Sequence, residues 1–231
     1  MEIIRPSARI LTEIDPTTIL DIIELAGRTC YKSEHNISDT SKYKFVNNIY
    51  NSGHHSVLEH VSVTARFVCS RGVSHEIVRH RLAAYSQEST RYCNYSSTKF
   101  GNQITVIYPS WAVNTIKYGG NLMEDPRYAV WEKACAQAET AYFEMLEMGA
   151  TAQEARDVLP NALKTDLVMT ANLREWIHFF KLRCDSAAHP DMQYVAKMLL
   201  NQFHEKIPVI FDDLFNEYGK PGTTIKVMED E

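Results

Sequence analysis

The alternation from Val61 to Cys69 constrains this chain more than any other stretch. Val61, Val63, Ala65, Phe67 and Cys69 are interleaved with Ser62, Thr64 and Arg66. Successive side chains of a strand point to opposite faces, so the pattern predicts a strand buried on one side only. The segments around it read mainly as helix. Asp15-Pro16 opens one over Thr17–Leu25, with Pro16 in the first turn. A second spans Asp39–Tyr50 and ends near Gly53, and a third, Val73–Arg81, presents a basic cluster. The stretch from Glu124 to Met148, rich in Ala, Glu, Met and Lys, stops at Gly149. Thr151-Ala152-Gln153-Glu154 has the form of a capping box, and Pro160 ends the short helix it starts. Asn172 precedes a helix with Glu175 at its third position, running to about Leu182. Pro190 begins the last helical stretch, which Pro208 must kink or divide. Gln103–Tyr108 suits a short strand, and Leu163–Ala171 fits either state. The sum is α+β, without the regular strand–helix alternation of a parallel sheet.

With 231 residues, 45% of them hydrophobic, the chain can bury a substantial core. Repeats and linker-like tracts are absent, so residues 1–231 read as a single domain, with about 219–231 as a flexible tail. The five cysteines are scattered and form no C-x-x-C pair, which argues against both a disulfide framework and a zinc ribbon. The N-terminal residues lack the apolar region of a signal peptide, and no apolar run approaches the roughly 18 residues of a membrane span. A cytoplasmic protein without a membrane partner is expected.

The net charge of −5 argues against a nucleic-acid partner. Residues 66–91 run counter to it, with five arginines against two glutamates. A local basic patch on an acidic protein suits a small anionic ligand better than a long polyanion; the alternative is a solvated arginine face. Neither G-x-G-x-x-G nor G-x-x-x-x-G-K-[ST] occurs, so a bound nucleotide must be held by side chains and helix ends. No metal is expected. His75 and His80 are five residues apart, which at about 100° per residue sets them roughly 140° apart around a helix. His54, His55, Glu59 and His60 show no recognised ligand spacing.

The most informative run is Arg79-His80-Arg81-Leu82-Ala83-Ala84-Tyr85-Ser86-Gln87-Glu88-Ser89-Thr90-Arg91-Tyr92. Guanidiniums grip phosphates bidentately and stay charged, and the polar loop expected over Ser86, Gln87, Ser89 and Arg91 can read sugar and base edges. A helix C-terminus attracting cations explains one or two of these residues but not the run.

This run resembles the signature of the flavin-dependent thymidylate synthases: R-H-R, seven residues, then S, with R-Y following. Gly53-His54-His55-Ser56-Val57-Leu58-Glu59-His60 is similar to the family's G-H-x-[ST]-x-x-E-H segment. Ala155-Arg156-Asp157-Val158-Leu159-Pro160 resembles its A-R-x-x-L-P element. Asn172-Leu173-Arg174, His178 and Leu182-Arg183-Cys184-Asp185 resemble its N-x-R…[NH]…L-R-x-D element. Ala84 and Ser86 depart from the family's frequent serine and asparagine.

The resemblance implies an antiparallel sheet with long flanking helices, assembled as a homotetramer whose active sites draw on several subunits. It implies dUMP contacts from Glu76, Arg79, Gln87, Glu88, Ser89, Arg91, Arg156 and Arg183. FAD contacts would come from Ser56, Arg79, His80, Arg81, Gln87, Asn172, Arg174 and His178, with His54 near the folate and nicotinamide face. The implied reaction carries the methylene group of 5,10-methylenetetrahydrofolate to C5 of dUMP, with NADPH reducing FAD and tetrahydrofolate released. Arg183 is expected to be the main catalytic side chain, stabilising negative charge on the activated uracil. Ser89 lacks an adjacent base, so binding suits it better than nucleophilic attack. Cys184 lies beside Arg183, whose charge would lower its pKa, but no motif supports a cysteine nucleophile. Two other readings stay open: a related flavoprotein that acts on another pyrimidine nucleotide or only oxidises NADPH, and a non-enzymatic nucleotide- or flavin-binding module.

Overall fold

In a computed structural model, which describes residues 1–117 and 119–219, the elements follow in order β1 (Glu2–Ile4), β2 (Ser7–Ile10), α1 (Pro16–Thr29), α2 (Ser41–Asn51), β3 (Ser62–Ser70), α3 (Arg71–Ile77), β4 (Ala83–Gln87), β5 (Thr105–Ile107) and α4 (Ser110–Lys117). After these come α5 (Pro126–Glu147), α6 (Ala152–Ala155), β6 (Lys164–Asn172), α7 (Leu173–Arg183), α8 (Pro190–Lys206) and α9 (Pro208–Tyr218). Residues 220–231, most of the expected tail, lie outside the described residues.

Two compact units form. One gathers Met1–Ser7, Phe67–Arg79 and Ser86–Leu167; the other gathers Ala8–Arg66, His80–Tyr85 and the chain from Val168 onward. Each is built from discontinuous segments, so neither is a stretch of sequence that a linker sets apart.

The four-stranded sheet has the order β2-β3-β6-β4. β3 and β6 run antiparallel. Leu173 N–H donates to Val61 O, Thr64 and Thr170 share a side-chain hydrogen bond, and Arg71 N–H donates to Leu163 O. Each of these pairs has the same index sum, as an antiparallel register requires. The alternation from Val61 onward is borne out, with Val63, Ala65, Phe67 and Cys69 all buried on β3. The ambiguous stretch resolves as β6, whose buried residues also alternate. β1 and β5 form a separate parallel pair in which Ile3 faces Val106.

In the first unit the core gathers Tyr95, Ile104, Val106, Cys135, Tyr142 and Leu163, with α5 supplying Cys135 and Tyr142. Helix α5 ends where sequence predicts: Gly149 takes φ +94°, a left-handed turn that a Cβ would strain. The capping box of α6 is present. In the second unit Trp176 and Phe180 of α7 pack with Phe203 of α8 and Phe211 of α9, ring centroids 5.0–5.9 Å apart. Pro208 divides the last helical stretch into α8 and α9, as expected.

Two expectations need correction. The helix predicted over Val73–Arg81 is α3, which begins at Arg71 under a Ser70 cap and ends at Ile77. Arg79-His80-Arg81 therefore lies on the turn into β4 rather than on a helix. One reason is local: the Tyr85 hydroxyl donates to the His80 carbonyl at 2.6 Å, so that oxygen serves the turn. The polar loop expected after it is partly strand, because Ser86 and Gln87 belong to β4.

Candidate functional site

The first unit holds Glu76, Arg79, Gln87, Glu88, Ser89, Arg91 and Arg156. Gln87 Nε2 donates to Ser74 Oγ at 2.9 Å and Thr165 Oγ1 at 3.2 Å, which directs the amide. Glu88 is met on both oxygens, by the Tyr95 hydroxyl at 3.2 Å and by Lys164 Nζ at 2.8 Å. Lys164 also bonds Asp166. Burial alone would lower the Lys164 pKa, but its two carboxylates outweigh that and hold it above the usual lysine value. The Glu88 backbone is occupied as well, its N–H donating to Asp166 O and its carbonyl accepting from Arg71 at 3.3 Å. Glu88 thus anchors the segment, in which Ser89 is half-buried and Arg91 is exposed.

Arg156 follows α6 and lines a cavity of about 350 Å³ with Arg71, His75, Thr90, Asp157 and Asn161. Two guanidiniums and an imidazole in one cavity suit a phosphate. Sequence reasoning assigned no role to Arg71 or His75; both stood in the basic stretch, but nothing linear joins them to Arg156.

The second unit holds His54, Ser56, His80, Arg81, Asn172, Arg174, His178 and Arg183. Helix α7 organises the last four. The Asn172 side chain caps it by accepting from Glu175 N–H at 2.9 Å, which spends the amide oxygen. Lys181 and Arg183 fall in its last turn, where the helix dipole favours cations. Arg174 is exposed and pairs with Glu59 at 2.6 Å. His54, Ser56, Arg81 and His178 are also exposed.

His80 is buried at 3% exposure, and every polar group of its ring is engaged. Nδ1 lies 3.0 Å from Glu175 Oε1, while Nε2 accepts from Arg183 Nε at 3.0 Å. The ring packs on Phe179, centroids 4.9 Å apart, and lies edge-on to His178 at 5.5 Å. Burial first, and then the Arg183 charge, lower the His80 pKa below its ordinary 6.5, against the opposing pull of Glu175. The imidazole is therefore neutral near pH 7. Among the described residues His80, Glu175 and His178 are the group close enough to share a metal ion. A cation there would have to displace either the Nδ1 proton or the Arg183 guanidinium, so the arrangement fits a hydrogen-bonded chain better. Glu175 is the residue that sequence reasoning passed over, reading it only as a cap.

The cysteines are all free thiols. Cys184 is buried, and burial pushes its pKa up to about 12. The opposing charge is that of Lys197, not the neighbouring Arg183 as expected, and it does not prevail. A thiol raised this far offers little thiolate at neutral pH. No helix among the described residues is long and apolar enough to cross a membrane.

The family described as "Thymidylate synthase complementing protein" matches residues 14–209. The flavin-dependent thymidylate synthase of Geobacter sulfurreducens is 35% identical over 198 residues, covering 83% of this chain and 80% of its own. That of Pyrococcus furiosus is 32% identical over 194 residues, covering 84% of this chain and 75% of its own. A UMP/dUMP methylase from Streptomyces cacaoi, whose crystal structure holds 5-Br dUMP, shares the fold with a TM-score of 0.72 at 19% identity, over 95% of this chain and 98% of that one. The match over residues 14–209, together with the curated relatives, shows that this chain belongs to the flavin-dependent thymidylate synthase family.

Proposed function

We propose that this enzyme converts dUMP to dTMP, taking its one-carbon unit from 5,10-methylenetetrahydrofolate and its reducing electrons from NADPH, with FAD as the bound flavin. Tetrahydrofolate and NADP⁺ are the other products. The observation that carries this reading is the donor set of α7 and the Arg79–Arg81 turn, together with the family match. Arg183 holds its guanidinium against a neutral histidine at the end of a helix, and exposed His54, Ser56, Arg81 and His178 belong to the same unit.

Exposed Arg81, with the Ser56 hydroxyl and the His54 and His178 ring nitrogens as further hydrogen-bonding groups, fits the pyrophosphate of a dinucleotide without a glycine-rich loop, and the Asn172 amide nitrogen suits a flavin ring edge. Arg174 joins them only when Glu59 gives it up. The flavin, when bound, supplies electron transfer between NADPH and the one-carbon unit. The protein's own residues position and polarise. In the first unit Arg79, Arg91 and Arg156 bind the nucleotide's phosphate, and Ser89 contributes a hydroxyl. Gln87, its amide nitrogen already spent, offers Oε1 to the uracil N3–H, Glu76 contacts the nucleotide, and Glu88 holds its own segment in place. Arg183 stabilises negative charge that develops on the uracil. The enzyme works as a homotetramer whose sites draw residues from more than one subunit, and it is cytoplasmic.

The test is an anaerobic product assay on purified protein carrying its flavin. With dUMP, methylenetetrahydrofolate and NADPH, dTMP should appear in proportion to NADP⁺, with the folate leaving as tetrahydrofolate. NADPH oxidation without dTMP refutes a synthase and favours an oxidase. A parallel arm with UMP asks whether the ribonucleotide is methylated as well.

A further inference from the structure

We infer that Glu175 is a positioning residue for catalysis, holding His80 as the Nδ1–H tautomer so that Nε2 can accept from Arg183 and fix the direction of its guanidinium. This rests on the catalytic reading of Arg183. The chemistry leaves little choice of tautomer. A guanidinium only donates, so the Nε2 facing it must carry a lone pair. A neutral ring then has its proton on Nδ1, 3.0 Å from a carboxylate oxygen that only accepts. The Glu175–His80–Arg183 chain is self-consistent in one protonation state.

The surroundings restrain each member. Glu175 is buried at 6% exposure in the first turn of α7, and Arg183 lies on the same helix eight residues later. His80 arrives from the turn before β4 with its carbonyl pinned by Tyr85 and its ring against Phe179. The titratable and charged groups facing it are Glu175, His178 and Arg183 of α7, with Tyr85 of β4 at its carbonyl. A second proton on His80 would replace the acceptor at Nε2 with a donor and expel Arg183. Acid should therefore inactivate the enzyme through this ring. Because the Glu175 hydrogen bond favours the protonated ring, removing that carboxylate should move the acid limb to lower pH.

The experiment combines spectroscopy and kinetics on the flavin-loaded enzyme. In ¹⁵N-histidine-labelled protein, with His80→Asn identifying the signal, His80 should show the Nδ1–H signature at neutral pH. Glu175→Gln preserves shape, but its amide nitrogen can donate to Nδ1 and favour the other tautomer. At saturating dUMP and folate it should slow turnover about ten- to hundredfold, the range seen when the carboxylate behind a metal-bound histidine is removed. The dUMP KM should change little, and the acid limb should shift down. Glu175→Asp should recover part of the rate. An Nε2–H tautomer in the wild type overturns the inference even if the variants fail to fold. So does a Glu175→Gln enzyme with unchanged rate and pH limb while Arg183→Ala is slow. If Arg183→Ala itself turns over normally, it is the catalytic reading of Arg183 that fails.

Discussion

Replacing Arg183 separates catalytic from adhesive use of charge. In the fold, Arg183→Ala removes the hydrogen bond to His80 Nε2 and leaves that buried acceptor unmet. Such a loss costs about 1–3 kcal/mol, tolerable against the roughly 5–15 kcal/mol that stabilises a typical domain. The variant should stay folded and keep its flavin. The kinetic loss should be larger. A preorganised donor that meets growing charge in the transition state contributes about 2.7–4 kcal/mol, so the rate should fall roughly 10²–10³-fold.

Stopped-flow kinetics under anaerobic conditions divides the effect. Reduction of the flavin by NADPH should fall little, whereas its reoxidation with dUMP and methylenetetrahydrofolate should carry nearly the whole loss. Lysine should rescue poorly. Its point charge cannot reproduce a planar guanidinium that presents Nε–H to His80 in a fixed direction. If Arg183→Ala weakens dUMP binding but turns over normally at saturating dUMP, the residue only holds the nucleotide, and the charge-stabilisation argument is wrong.

Three further outcomes test other parts of the account. Arg81→Ala, at an exposed position on the turn before β4, should lower flavin occupancy with an unchanged circular dichroism spectrum; full retention of flavin would remove this side chain from the cofactor's contacts. Cys184→Ala should keep most turnover, and mass spectrometry of a quenched reaction should find no cysteine–nucleotide thioether, since a thiol held near 12 supplies almost no thiolate. Trp176 is fully buried and donates Nε1–H to Val63 O at 3.0 Å, so Trp176→Phe should cost about 1–3 kcal/mol and Trp176→Ala about 3–5 kcal/mol in urea unfolding; equal losses would mean the hydrogen bond and the cavity have been misjudged.

What the sequence made legible depended on whether a signal was local. β3 could be read because nine residues alternate between the two faces of a sheet, and α7 because Asn172 and Glu175 occupy capping positions that few other pairs fill so well. The end of α3 could not. Nothing between Val73 and Arg81 stops a helix by composition, and the turn is held by a hydroxyl from Tyr85, on the strand that follows. The same division runs through the site. The Arg79–Tyr92 run was legible by spacing, but the partners that fix its side chains are remote: Lys164 reaches Glu88 across 76 positions, and Glu175 reaches His80 across 95.

Glu175 shows why such residues escape a linear reading. An acidic residue three places after an asparagine cap already has a sufficient explanation in the helix dipole, so its sequence position calls for no other. That explanation suits an exposed carboxylate, which water also stabilises. It does not account for one buried at 6% exposure, where an ionised group needs a specific donor. Burial converts a residue sufficient for capping into one that requires His80, and His80 in turn leaves Nε2 able only to accept. A cap is satisfied by the backbone of its own helix; the buried oxygen of Glu175 is satisfied only through a chain of donors that ends on Arg183.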